Sequence, residues 1–323
     1  MARDLLQGIA PPRPVFLPIV FSLGARVENL PLPVFFANPT KISNALRQIR
    51  SRLPADGVTC YFDPFLEVEA MGAALCWSSD DQPPSVCWPN AARRGELPSG
   101  LRSPEQAVKA GRVPVACDVI RRLASLLRDD ALLMAGICGP LTLAARLLQF
   151  EPDEVRGQDL PAPAVELAAA VLTQIASALL EAGAHVLLIH EQVLARLSAE
   201  SCEAGLNMLS PVFNIIRFYG ALPLLLLPNA ASAVQDLQWM ANCSAAGALP
   251  CPALEASSVE GMPPMATANF GVAMPLRALA SDEAAELLKL VMKLSPAVIT
   301  TAADVPPSVD LKRVAALFEE VRR

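Results

Sequence analysis

Eight times along this chain a strand-length apolar run gives way to a helical stretch. The runs are Pro14–Ser22, Gly57–Asp63, Ala131–Cys138, His185–His190, Ala221–Pro228, Ala248–Leu254, Met265–Gly271 and Ala297–Ala303. Strict strand–helix alternation implies a parallel sheet. Runs apolar at nearly every position, rather than at every second one, are what strands covered on both faces require. Eight such units either close into a barrel or lie open as a doubly wound sheet. The open sheet's phosphate loop, GxGxxG after the first strand, is absent, since Gly24 stands alone there. A count of eight in 323 residues favours closure. The expectation is therefore α/β: one (β/α)8 TIM barrel spanning residues 1–323, with its site at the C-terminal ends of the strands.

The helix signals agree. Ala164–Ala182 is a run of strong helix formers, with Gly183 placed to end it in the left-handed conformation. Ser281 opens a helix running to about Leu294, and Asp310 opens the last one. The sixth strand is the weakest, because Pro250 and Pro252 interrupt it. Residues 77–114 break the alternation with a segment rich in Pro, Ser, Gly and charge, expected as a β-ribbon or loop inserted after strand two and covering the site.

Composition narrows the partners. The chain is 53% hydrophobic and 18% charged, which suits either a membrane protein or much buried strand. The most suggestive run, Ala221–Leu227, is far too short to span a bilayer and is bounded by Gly220 and Pro228. The first residues, with Arg3, Asp4 and Pro11, do not read as a signal peptide. A cytoplasmic protein with no membrane partner is expected. The net charge of −6 without a basic stripe argues against nucleic acid. Eight cysteines form no CxxC pair and only two histidines are present, so zinc-finger spacings are absent, no metal site is expected, and the thiols read as buried and reduced.

The barrel rule selects the site candidates. Asp63, ending strand two in CYFDPFLEVEAMG, could bind N–H or cationic groups or act as general acid or base; equally it could cap the next helix, since Pro follows it. Glu67 and Glu69 read as solvated or helix-start charges. Tyr61 precedes Asp63 on the same strand. His190 and Glu191 end strand four, where neighbours point to opposite faces, so one of the two lines the mouth. A histidine satisfied between strand and helix is the plainer alternative for His190. Arg26 and Arg146 could hold an anion or lie on the surface. Asn229 and Asn269 are placed at the ends of strands five and seven. The Gly136–Pro140 turn opens a helix whose N-terminus could receive an anion. No nucleophile elbow, P-loop or Ser/His/Asp set is visible.

Several segments together resemble the uroporphyrinogen decarboxylase superfamily, which includes the corrinoid and coenzyme M methyltransferases. YFDPFLEVEAMGAAL resembles its second-strand motif, GICGPLTLAARLL its glycine turn with P-x-T-L, EAGAHVLLIHE its AGA strand, ANFGV its strand-seven motif and AVITTAADVPPSVDLKRVAAL its last strand and helix. The resemblance implies the barrel fold and puts Asp63 on an aspartate that binds pyrrole N–H groups. The departures are as informative. Of two arginines that bind substrate carboxylates in the decarboxylase, Arg26 matches the second, while the first falls on Phe21 or Ser22. The active-site tyrosine falls on Arg146 and the last-strand histidine on Ala303. The methyltransferases' zinc ligands fall on Leu227, Asn229 and Ala303.

Three hypotheses follow. The first is a divergent enzyme, a decarboxylase-like lyase or a methyltransferase, acting on a tetrapyrrole, a corrinoid-linked methyl group or another small anionic substrate through Asp63 with Arg26, Arg146 and Glu191. The second is a corrinoid- or tetrapyrrole-binding protein without chemistry of its own. The third is an interaction barrel with a degenerate site, which predicts a filled mouth and no pocket around Asp63. No cofactor is required by the residues, a corrinoid would arrive as a partner-bound substrate, and a corrinoid protein or a second copy of the chain is left open as partner.

Overall fold

Seven of the eight apolar runs contain a parallel barrel strand, and the remaining strand begins where the other run ends. The computed structural model describes residues 9, 11–53, 55–88, 93–155, 160–194, 199–228, 237–259, 270–279, 281, 283–306 and 309–322. Its barrel strands are β1 (Val15–Leu17), β2 (Gly57–Tyr61), β3 (Leu132–Cys138), β4 (Val186–His190), β5 (Leu222–Leu227), β6 (Leu249–Pro252), β7 (Gly271–Met274) and β8 (Val298–Thr301). The helices that bear on the site are α1 (Leu23–Glu28), α2 (Leu32–Phe36), α3 (Leu66–Ala70), α4 (Val113–Leu127), α5 (Pro140–Leu147), α6 (Ala162–Glu181) and α7 (Ala199–Phe218).

Strands β2 to β6 pair continuously in sequence order, and β7, β8 and β1 form a second run. Two seams join them, each with a local cause. In β6, Ala253 N donates to Leu227 O of β5, while Leu254 N donates to Ala273 O of β7. Alternate amides therefore face alternate neighbours, and Pro250 and Pro252 put their missing donors toward β7. Pairing there is reduced to a single bridge, Ala253 with Ala273. The prolines shape the strand's edge without abolishing the strand. At the other seam, β1 ends before Pro18, and Asp56 substitutes for a ladder: its amide donates to Phe16 O, its carboxylate accepts from Phe16 N at 2.8 Å, and Arg13 pairs with it.

Strand seven is displaced from its expected place. It is Gly271–Met274, so Asn269 precedes the strand instead of ending it. The apolar run Met265–Gly271 misled because the true strand is only four residues long and begins at the run's last residue. The excursion after β2 carries an antiparallel ribbon, Ala74–Cys76 with Ser85–Cys87, which starts before Trp77. Among the described residues one helix, α6, is long and apolar enough to cross a membrane by length and composition, but 56% of its apolar window is buried within the fold, where it packs between α5 and α7. Gly183 follows α6 at φ +111°, the left-handed exit expected of it.

Candidate functional site

The C-terminal ends of β1, β2, β4 and β8 surround a cavity of about 910 Å3. Phe36, Phe62 and Phe65 supply apolar wall, and Trp77 with residues 80–84 of the ribbon lies over them. Polar groups reach it from Arg26, Asp63, His190 and Asp304.

Asp63 is both a cap and a cavity residue. Its Oδ1 accepts from Phe65 N at 3.0 Å and its carbonyl from Leu66 N, turning the chain into α3. Its Oδ2 lies 2.7 Å from Arg112 Nη2, an ion pair whose atoms are not aligned for a hydrogen bond. Arg112 also donates through Nε to Glu69 at 2.8 Å, and its guanidinium lies over the rings of Phe36 and Trp77. Burial raises the Asp63 carboxyl above the ordinary aspartate range, and Arg112 opposes that shift.

Glu69 is therefore an ion-pair partner, and Glu67 is fully buried, so neither is the solvated charge expected from its helix-start position. Glu67 Oε1 accepts from Cys138 N at 3.0 Å and its Oε2 has no partner. Burial pushes its carboxyl up to about 7. No signal in the sequence pointed to Arg112, which comes from the far side of the insertion. Glu67 lay in plain view, but only the fold turns its helix inward.

At the end of β4 the two neighbours divide as alternation requires. His190 lines the cavity, with its ring 5.8 Å from Phe62 and a buried Nδ1 that makes no hydrogen bond. Burial, then Arg146, pushes its pKa down to about 3, so the imidazole is neutral. It is not the satisfied structural histidine of the plainer alternative. His185 is: its Nδ1 accepts from Leu133 N at 3.1 Å. Glu191 points the other way, fully buried. Its carboxylate accepts from Leu141 N, Thr142 N, the Thr142 hydroxyl at 2.6 Å and Val193 N. The anion expected at this helix N-terminus is thus supplied by the chain itself. Gly139 leaves room for it, since a Cβ there would strike the Glu191 carboxylate.

Two predicted binding residues turn away from the cavity. Tyr61 is fully buried and its hydroxyl donates to Phe36 O at 2.8 Å, which joins β2 to α2. Arg146 donates to Pro64 O and to Gln192 Oε1 and lies over Phe65, so it braces the cavity wall from behind. Arg26 does line the mouth, exposed, on α1. Asn229 and Asn269 lie outside the described residues. Asp304, after β8, accepts from Phe21 N and Ser22 N at 2.8 Å each, and burial pushes its carboxyl up to about 6.

A zinc-thiolate centre does not fit the positions that the resemblance assigns to it. Leu227 is a fully buried aliphatic side chain and Ala303 presents a methyl group to the cavity. Among the described residues no three His, Cys, Asp or Glu side chains converge as a metal site.

Comparison with known proteins places the fold. Over 128 residues the chain is 27% identical to the methylcobamide:CoM methyltransferase MtaA of Methanosarcina barkeri strain Fusaro, covering 39% of this chain and 37% of that protein. A second M. barkeri sequence of that name matches to the same extent. The chain thus spans just over a third of the length of these curated relatives. A solved methyltransferase from Methanosarcina mazei superposes with a TM-score of 0.73 over 99% of this chain and 96% of that one, at 18% identity, a likeness of fold alone. A profile of the uroporphyrinogen decarboxylase (URO-D) family matches residues 5–233, more than two thirds of the chain, and the chain belongs to that family.

Proposed function

We propose that the barrel mouth binds a corrinoid-linked methyl group, or a comparable methyl-bearing ligand, and serves methyl transfer without a zinc ion. The observation that carries this reading is the charge of the cavity. Arg26 is the one lysine or arginine among its described lining residues, against Asp63, Asp80, Asp81 and Asp304. A tetracarboxylate substrate would need several cations to replace its hydration, so decarboxylation of a uroporphyrinogen is disfavoured, and the small anionic substrate expected from sequence with it. An open cavity containing Asp63 also speaks against the degenerate scaffold, for which a filled mouth was the expectation. The kinship with proteins named methylcobamide:CoM methyltransferases supports the methyl branch.

In this reading the aromatic wall takes the apolar part of the ligand and excludes water. The remaining lone pairs of Asp63 accept from N–H groups of the ligand, and neutral His190 accepts a hydrogen bond. A corrinoid protein would present the methyl group at the ribbon side. One observation favours a second reading, binding without turnover: Arg112 already neutralises Asp63. Titration with methylcobalamin, followed by its absorption spectrum, tests both. Saturable binding weakened at least about tenfold by Asp63→Asn is expected, and demethylation on adding a thiol separates enzyme from binder. Tight binding of a porphyrinogen with no response to methylcobalamin would overturn the proposal.

A further inference from the structure

The thiols of the ribbon depart from the buried, reduced state expected of this chain's cysteines. Cys60, Cys117, Cys138, Cys243 and Cys251 are buried, whereas Cys76 and Cys87 are exposed. The ribbon register pairs Ala74 with Cys87 and Cys76 with Ser85, so the two cysteines sit diagonally across the strands on the same face. That face is the exposed one, while Leu75 and Val86 turn inward. The Cys76 thiol donates to Cys87 Sγ across 2.7 Å.

We infer that Cys76 and Cys87 form a reversible dithiol–disulfide site, with small-molecule disulfides as oxidant and small thiols as reductant, and that their bond staples the loop that roofs the cavity. The exchange balances without any other reagent. Cys87 Sγ, as thiolate, attacks one sulfur of the small disulfide; that S–S bond breaks and a small thiolate leaves. Cys76 Sγ then loses its proton to solvent and attacks Cys87 Sγ, forming the intramolecular bond and expelling the second small thiolate. Two electrons pass from the protein thiols to the small disulfide, and reduction reverses both steps. The order follows from the contact: donating to Cys87 holds the Cys76 thiol protonated to higher pH than usual.

The ring that this bond closes contains residues 77–86. Among them Trp77 and residues 80–84 line the cavity, and Asp80 O accepts from Leu32 N at the start of α2. Oxidation would therefore restrict the segment that covers the ligand, whatever that ligand is. A disulfide formed in a reducing compartment is characteristically a transient or sensing one, and exposure on both sulfurs gives the exchange partner access.

The test needs no substrate and is independent of the proposed function. The full chain is equilibrated in glutathione buffers of graded ratio, quenched by alkylation and mapped by mass spectrometry. The expected product is an intramolecular Cys76–Cys87 bond that appears in one step. It should be absent in Cys76→Ser and in Cys87→Ser, each of which should carry a single glutathione adduct instead. Backbone amides within residues 78–85 should exchange at least about tenfold more slowly in the oxidised chain. Two separate glutathione adducts on the unaltered chain would overturn the site. Unchanged amide exchange in the bonded form would overturn the staple.

Discussion

Replacing Arg112 by methionine tests the centre of the site most directly. The methionine keeps much of the apolar stem but removes the charged group that lies over Phe36 and Trp77. Asp63 would then sit in the wall with a side chain only 1% exposed and Phe65 N as its remaining partner. Glu69, 24% exposed on its side chain, can turn to water, so Asp63 dominates the cost. Breaking a buried pair from one side costs about 3–5 kcal/mol. For a chain of this length that lowers the melting temperature by about 4–8 °C. The sign with pH is fixed. Burial already raises the Asp63 carboxyl, and Arg112 is the main opposing influence. Without it the folded-state pKa climbs further, so the folded protein holds a proton that the unfolded chain has released. Stability is then lost as pH rises through that interval and regained as pH falls below it. Denaturant unfolding of the variant should show the full loss near about pH 8 and most of it restored near about pH 4. Adding Asp63→Asn to Arg112→Met should recover the greater part of the loss at neutral pH. A loss independent of pH, or no recovery in the double variant, would refute the reasoning that Arg112 acts through the Asp63 charge.

Four further outcomes follow from the same geometry. Glu67, with its carboxyl raised to about 7, should make the protein lose on the order of 3 kcal/mol between its unfolded value and about pH 8; Glu67→Gln should flatten that stretch of the pH–stability curve, measured by urea unfolding. His190→Phe should change stability by less than about 1 kcal/mol, because Nδ1 makes no bond to lose, while weakening methylcobalamin binding at least about tenfold; unfolding and titration on one preparation check both halves. Glu191→Ala should cost about 3–5 kcal/mol by stranding the buried amides at the start of α5, and Gly139→Ala should cost about 1–3 kcal/mol by displacing the same carboxylate, both read as melting temperature by circular dichroism.

The barrel was legible because each unit announces itself locally: an apolar run, then a helical pattern. The same local reading misplaced strand seven, where the apolar run precedes the strand and meets it only at Gly271, and doubted strand six, where the prolines fall on the one edge that can spare its donors. Asp63 and His190 were legible from their positions at strand ends. Tyr61, at the end of strand two, and Arg146, on the helix after strand three, turn away from the cavity instead, because position does not say which way a polar tip turns once a carbonyl such as Phe36 O or Pro64 O is nearby. Arg112 was illegible because its role exists only where the end of the insertion returns to β2.

The carboxylates at the mouth divide by what satisfies them. Asp63 is held by Arg112 and Phe65 N, Glu191 by the start of α5, and Asp304 by the amides of Phe21 and Ser22. Each joins elements that arrive at the mouth from different parts of the chain: the excursion to β2, β4 to α5, β8 to the start of α1. Their charges are committed to building the rim, which explains how an apolar barrel tolerates so many acids at one end. Among the described lining residues, the titratable groups without such commitments are His190 and the ribbon acids Asp80 and Asp81, which lie on the cavity's wall and roof. Variation in what the site binds should therefore track His190 and the ribbon, while substitution of Asp63, Glu191 or Asp304 should first disturb the rim. Of the rim acids Asp63 and Asp304 still line the cavity with acceptor capacity to offer, and for that reason any binding role of either has to be measured beside its structural one.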